Sequence, residues 1–328
     1  MLQACWRLVV VLLLQTSLIR ARIRSFVFRE NALKNYARLT KERLDAHMEH
    51  LNDNMRSQTT EEGRLWALLN ESYRISENYG QAAGGATAES PLEVLAAVQM
   101  LASRPRAEWR NVCEIGMNIG SSALLWLHGT DGQLQEFDMF ERAYSNGVQD
   151  FLNAAFPNRT SFHKGRCRWI RARARALPRF QSSSLFLIAP SRCSCRSEDT
   201  LRELAKEVRH ARAPPCDLWY IDGCHDTKCM REDMRHALVA ASFDGWVMAD
   251  DYSKRFPGVR AIWDLYEEKG LLTTVKKVMY MGENTEYNRN VGPKGWAIGR
   301  WNATALRRIN HRLPQNCSLN QHFCEFDT

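Results

Sequence analysis

The sequence predicts a doubly wound, mostly parallel α/β sheet of Rossmann-like type, preceded by a helical N-terminal extension. Three observations carry this. First, Asp217-Leu218-Trp219-Tyr220-Ile221 is an apolar run that ends in Asp222, and Gly245-Trp246-Val247-Met248-Ala249 ends in Asp250 and Asp251. Buried parallel strands read this way, and in open α/β sheets ligands sit outside their C-terminal ends. Second, Asn111-Val112-Cys113-Glu114-Ile115 runs into a turn bearing Gly116 and Gly120, followed by an apolar helix over 123–127. Third, the next strand candidate, 134–140, carries Asp138.

Taken in order, the chain opens with Arg7 and the apolar run Leu8 to Leu14, which fades by Ile19. That is the size of a signal-peptide core and short for a bilayer span, so residues 1–24 read as a signal peptide or an uncleaved signal-anchor. Arg20, Arg22, Arg24 and Arg29 follow, and the positive-inside rule would keep them cytosolic. Residues 25–89 form the helical extension and linker. From Glu30 to Tyr79 the spacing of Leu33, Tyr36, Leu39, Leu44, Met48, Leu51 and Met55 predicts amphipathic helix, and 81–88 is a Gly/Ala-rich link. The main domain spans 90–305. Ser90-Pro91-Leu92-Glu93 opens it with a capping box and Pro at the first helical position, with Val94, Leu95, Val98 and Leu101 as the expected buried stripe. After the first two strands comes a third at 160–164. A helix starting near Ser197 with Leu201, Leu204 and Val208 on one face precedes the Asp222 strand. Helix over 259–269 and strands over 273–281 and 295–301, the last two an antiparallel pair, complete the domain before a tail at 306–328.

One segment fits no element. Residues 166–195 hold seven arginines and no acid. A structureless loop of this length is uncommon in a compact domain. Joining Gly165 to Ser197 restores strand, turn and helix. Gly165-Arg166-Cys167 can be encoded with a GT splice donor and Ser182 to Arg196 as a pyrimidine-rich tract ending in CAG, so the segment reads as a translated intron; the competing reading is a basic surface loop. Those seven arginines also carry most of the formal net charge of +8, leaving +1 elsewhere. There is no broad basic face and no aromatic-interleaved basic motif for nucleic acid.

The chemistry lies at the strand ends. Asp222, Asp250 and Asp251, with His225, converge on one crevice. Carboxylates that close repel, and they coexist only with raised pKa values or a bound cation. A hard divalent ion with oxygen ligands answers that need. The competing reading is that Asp222 and Asp251 cap the turns that follow, and that His225 bonds only backbone. The glycine turn is spaced E-x-G-x-x-x-G, which is neither the dinucleotide fingerprint nor a phosphate loop. Its glycines let backbone approach a ligand where a Cβ would clash, and an acid at the end of the following strand can accept from a ribose diol.

With these residues in hand the chain resembles the class I S-adenosylmethionine-dependent methyltransferases, and within them the metal-dependent O-methyltransferases of the catechol and macrocin types. The resemblance rests on CEIGMNIGSS (Cys113 to Ser122), EFDMFE around Asp138, YIDGCH (Tyr220 to His225) and FDGWVMADDY (Phe243 to Tyr252). It covers roughly Pro91 to Trp301. It implies a seven-stranded sheet and S-adenosylmethionine as cofactor, with Glu114, Gly116, Gly120 and Ser121 around the amino-acid end and Asp138 on the ribose. It implies Asp222, Asp250 and Asp251 as ligands of Mg²⁺ or a similar ion, Asp222 and His225 as the catalytic pair with His225 as base, and methyl transfer to a hydroxyl oxygen; a secretory address would favour a sugar or other small molecule as the acceptor. Nitrogen or carboxylate acceptors fit the acid triad less well. A different class of function also fits the fold: an inactive member serving as a binding or interaction module in the secretory pathway.

Ten cysteines bear on the compartment. Setting aside Cys5, Cys167, Cys193 and Cys195 leaves six, which suits an oxidising lumen. Cys317 and Cys324 are the expected pair, and Cys224 and Cys229 flank the crevice, paired or free. N-x-[ST] sequons occur at Asn70, Asn158, Asn302 and Asn316. The expected address is the secretory pathway, with a cytosol-facing membrane-anchored form as the alternative.

Overall fold

The structure is a computed structural model that describes residues 41–79, 91–168, 194–196, 198–280 and 294–312. Its helices and strands begin with α1 (Lys41–Ser57), α2 (Glu61–Asn78), α3 (Pro91–Leu101), β1 (Asn111–Ile115), α4 (Ser121–Gly129), β2 (Gln133–Asp138), α5 (Ser145–Ala155), β3 (Thr160–Lys164), β4 (Arg166–Arg168) and β5 (Ser194–Arg196). They continue with α6 (Glu198–Arg209), β6 (Cys216–Ile221), α7 (Thr227–Val239), β7 (Ala241–Ala249), α8 (Pro257–Glu268), β8 (Leu272–Tyr280), β9 (Lys294–Trp301) and α9 (Ala303–Arg312). The described residues form two compact units, those within 1–84 together with 141–155, and those within 85–140 together with 156–328.

Within the first unit, α1, α2 and α5 bury Leu51, Leu65, Leu68, Leu69, Ile75, Val148, Phe151 and Leu152. The single helix expected from Glu30 to Tyr79 is two helices over its described part. Thr60 breaks it: its extended backbone and its side chain, which accepts from the Gly63 amide at 3.0 Å, start α2 afresh. Residues 30–40 lie outside the described residues. Glu71 of α2 is fully buried among His47, His50 and Arg74. Burial alone would raise its pKa, but the two histidine hydrogen bonds and the Arg74 charge outweigh it and hold the carboxyl below its usual range.

The second unit is built on a seven-stranded sheet in the order β3-β2-β1-β6-β7-β9-β8. All neighbours are parallel except β7 with β9 and β9 with β8. Alternate residues therefore face opposite sides. Cys113, Ile115, Phe137, Trp219, Ile221, Val247 and Ala249 join Leu201, Met234 and Trp263 of α6, α7 and α8 in one apolar core. The row in register on the other side is Glu136, Glu114, Tyr220 and Met248, and α4 lays Trp126 on Tyr220 with ring centroids 5.2 Å apart. Helix α3 corrects an expectation. It buries Glu93, Ala96, Ala97, Met100 and Leu101, whereas Leu95 and Val98 are exposed. The helix turns this face inward because Glu93 accepts from the Tyr220 hydroxyl at 3.0 Å, and alanines permit close approach.

A disulfide the sequence did not single out, Cys113–Cys216, ties β1 to β6, and Cys224 pairs with Cys229. The ends of the Arg-rich segment are an antiparallel ladder, with Cys167 opposite Cys195, so the chain leaves and re-enters the domain at one point. Residues 169–193 lie outside the described residues. So do the expected signal at 1–24, the Gly/Ala-rich link, and Cys317 and Cys324. No helix among the described residues is long and apolar enough to cross a membrane.

Candidate active site

Strand register delivers the site. Beyond the strand tips the ladder continues: the Gly116 amide donates to Phe137 O at 3.0 Å, Asp222 N to Ile115 O at 2.8 Å, and Asp250 N to Ile221 O at 3.1 Å. Gly116, Asp222 and Asp250 thus stand side by side on one sheet edge. Gly116 has φ +99°, and a Cβ there would lie 2.2 Å from the Asp222 carbonyl oxygen. Only glycine lets the first turn touch the acid-bearing one this closely. Gly120, with φ +76°, caps α4, whose first residues Ser121 and Ser122 are buried.

The acids divide by role. Asp222, His225 and Asp251 offer ligand atoms all within 4.8 Å of one another, and His225 Nε2 lies 2.8 Å from Asp251 Oδ2. Asp250 stands outside that trio. Its Oδ1 accepts from the Asp251 amide at 2.7 Å, which orients the neighbouring carboxylate. Burial first, then the charges of Asp250 and Asp251, push the Asp222 pKa well above the carboxylate range. The hydrogen bond to Asp251 raises that of His225. Neither Asp222 nor Asp251 caps α7: Asp226 does, accepting from Lys228 N and Cys229 N at 3.0 Å. The donor set of two carboxylates and an imidazole suits a hard divalent ion, which would also offset the repulsion that adds to the rise of the Asp222 pKa. Asp251 has φ +59°, and Asn118 and Phe140 on the loops after β1 and β2 are also left-handed. Such strain gathers at functional sites.

Asp138 ends β2 as expected, and it anchors the glycine turn. Its Oδ2 accepts from Met117 N and its Oδ1 from Phe140 N, both at 2.7 Å. Each oxygen keeps a second lone pair for a ligand hydroxyl. Glu114 is fully buried and accepts from the Ser122 hydroxyl. Burial drives its pKa up to about 8, with Asp138 adding to the rise against the Ser122 and Glu136 hydrogen bonds. Its register partner Glu136 is equally buried, and burial and the Glu114 charge raise it well above the usual range.

Sequence reasoning missed four contributors. Glu136 was visible as an acid in the buried phase of an alternating strand. Glu93 looked like a helix cap and instead holds Tyr220. Phe256 packs against His225 with the rings tilted by 44° and centroids 4.3 Å apart, and the Arg255 guanidinium lies 4.8 Å over the Phe256 ring. Nothing in the sequence marked either of the last two. Gly258 at the start of α8 explains how they come so close, since a Cβ there would lie 2.6 Å from His225 O and 2.5 Å from Thr227 N.

Comparison with known proteins agrees with this architecture. The family described as Methyltransferase domain matches residues 113–252. An O-methyltransferase from Bacillus cereus, solved in complex with SAH, is 13% identical, with a TM-score of 0.50, over 72% of this chain and 90% of its own. The O-methyltransferase TomG from Streptomyces achromogenes, in complex with SAM, is 14% identical over 72% and 89%, with a TM-score of 0.48. An SAH-bound methyltransferase from Podospora anserina is 13% identical over 81% and 97%, with a TM-score of 0.45. No curated protein matches the chain. Counted within the seven-stranded sheet alone, the strand order is 3-2-1-4-5-7-6 with the last strand antiparallel, which is the class I methyltransferase fold.

Proposed function

From a chain that carries a methyltransferase domain on the class I fold, we propose an S-adenosylmethionine-dependent O-methyltransferase, assisted by a divalent metal ion, that acts on a hydroxyl of a sugar or other small molecule. The observation that carries the reading is the contact of the Gly116 turn with the Asp222 loop, which sets a cofactor-sized glycine turn directly against the Asp222–His225–Asp251 trio.

When bound, S-adenosylmethionine supplies a methyl group on a positively charged sulfur; the acceptor oxygen bonds that carbon as the carbon–sulfur bond breaks, and the sulfur leaves neutral. An ion held by Asp222 and Asp251, with Asp250 in support, would lower the pKa of the acceptor hydroxyl. His225, oriented by Asp251, takes the hydroxyl proton, a contribution typically worth about 10²–10⁴-fold. Gly116, Gly120 and Ser121 admit and hold the amino-acid end of the cofactor, and Asp138 takes the ribose while fixing the turn through Met117 N. Glu114 acts from beneath, through Ser122 at the start of α4. Much of the acceleration then comes from alignment of oxygen, carbon and sulfur. The disulfides Cys113–Cys216 and Cys224–Cys229 support delivery to an oxidising compartment of the secretory pathway.

The test is methyl transfer by the full chain to a panel of phenolic and sugar hydroxyls, with Mg²⁺ and with chelator, alongside calorimetry with S-adenosylmethionine. Transfer that needs the ion and falls by at least about 100-fold in Asp222→Asn is expected. Failure to bind the cofactor, or transfer indifferent to both chelation and Asp222→Asn, defeats the reading.

A further inference from the structure

The loop between β7 and α8 carries two cations beside three acids without neutralising them. Lys254 and Arg255 are exposed, and among the described residues neither makes an ion pair with a carboxylate. Other cations on the same helix and its neighbouring strand are committed: Arg260 to Asp264, and Lys277 to Asp264 and Glu267. Arg255 is nonetheless held in place. Its amide donates to the Oγ of the buried Ser253 at 3.2 Å, and its guanidinium lies 4.8 Å over the Phe256 ring. The same ring packs, tilted, against His225 with centroids 4.3 Å apart, and His225 touches Asp251. A single line therefore runs from guanidinium through aromatic ring and imidazole to the acid trio. Its near end suits a hydroxyl. Its far end presents a planar fork of donors, which matches a carboxylate or phosphate in two-point contact. The half-buried Phe256 ring between them offers a flat apolar wall.

We infer that the acceptor is an anionic hydroxyl compound: Arg255 takes its carboxylate or phosphate group, Phe256 packs against its body, and its hydroxyl reaches the Asp222–His225–Asp251 trio. This rests on the methyltransferase reading and narrows it, since neutral catechols and neutral sugars become the poorer substrates. Lys254 adds charge at the mouth, where a compact ammonium attracts an anion without fixing its orientation.

Two acceptor sets test it on the full chain with Mg²⁺ and S-adenosylmethionine: catechol against 3,4-dihydroxybenzoate, and glucose against glucuronate and glucose 6-phosphate. The anionic members should be favoured by about tenfold or more in kcat/KM in at least one set, the scale of one hydrogen-bonded charge contact. The glucuronate and glucose 6-phosphate arms tell carboxylate from phosphate. Arg255→Ala should erase the preference chiefly through KM, Arg255→Glu should invert it, and Arg255→Lys should restore part of it. Transfer that is equal for neutral and anionic acceptors, or a preference that survives Arg255→Ala, overturns this inference and leaves the methyltransferase reading standing. Absence of both cofactor binding and transfer to all five compounds overturns the two together.

Discussion

Replacing Glu136 by glutamine should make the protein less sensitive to alkali. Glu114 and Glu136 face each other in register on β1 and β2, both fully buried, and beyond Glu114 no hydrogen-bond donor reaches Glu136 among the described residues. Two ionised carboxylates cannot share that space, so the fold holds a proton there that the unfolded chain releases. The sign follows: with a pKa of about 8 in the folded state against 4.5 when unfolded, Glu114 contributes stability in full below pH 4.5 and loses it as pH rises toward 8. At roughly 1.4 kcal/mol per pH unit, the wild type should lose about 4 kcal/mol between pH 5 and pH 8 from Glu114 alone, and Glu136, raised by burial and by the Glu114 charge, adds to that loss. In Glu136→Gln the titration of Glu136 itself is gone, and the new side-chain amide can donate to an ionised Glu114 in place of the protonated Glu136. The variant keeps the loss that burial of Glu114 causes but not that of Glu136, so it should lose less than wild type over this range by roughly 2 kcal/mol or more. The assay is urea unfolding at several pH values, followed by tryptophan fluorescence with disulfides intact. The difference between the two proteins isolates the pair, because every other titrating group is common to both. A wild-type-minus-variant difference that stays flat within about 0.5 kcal/mol over this range would refute the shared-proton account.

Other expectations follow from the same geometry. Gly116→Ala places a Cβ 2.2 Å from the Asp222 carbonyl in a left-handed conformation; SAH binding by calorimetry should fall by at least about 100-fold with the circular dichroism unchanged. Gly258→Ala pushes on the loop that carries His225, so kcat should drop by more than about tenfold while SAH affinity stays within about twofold of wild type; unaltered kcat counts against His225 as base. Removing the β1–β6 crosslink with Cys113→Ala and Cys216→Ala together should cost about 2–4 kcal/mol in urea, and a midpoint unmoved under non-reducing conditions would show that these thiols are not joined.

Much of the fold could be read in the sequence, for identifiable reasons. Apolar runs closed by Asp222 and by Asp250-Asp251 declared central parallel strands, because a strand covered on both faces reads as a continuous apolar run and an acid at its tip marks where it opens to a ligand. Gly116 and Gly120 declared the turn, because each takes a left-handed conformation there. Local chemistry failed where local signals were weak. Thr60 looked like one more residue in a long helix, yet its hydroxyl starts a new one. The buried stripe of α3 was misplaced because an acid, Glu93, is drawn inward by Tyr220 from a strand over a hundred residues away.

What the sequence by itself determined is the strand order of chemistry: glycine turn, then Asp138, then Asp222, then the Asp250-Asp251 pair. Those depend on backbone conformation and on which face of a strand is covered, and both are written in a few adjacent residues. Only the tertiary structure decided which acids meet. It joined Asp222 and Asp251 to His225 and set one oxygen of Asp250 on the Asp251 amide, with the Asp250 charge still acting on Asp222. It also set Glu136 against Glu114, and Phe256 and Arg255 beside the proposed base. Side chains on separate strands and helices are brought within a few ångströms by register and packing, and neither leaves a local trace in the order of the residues.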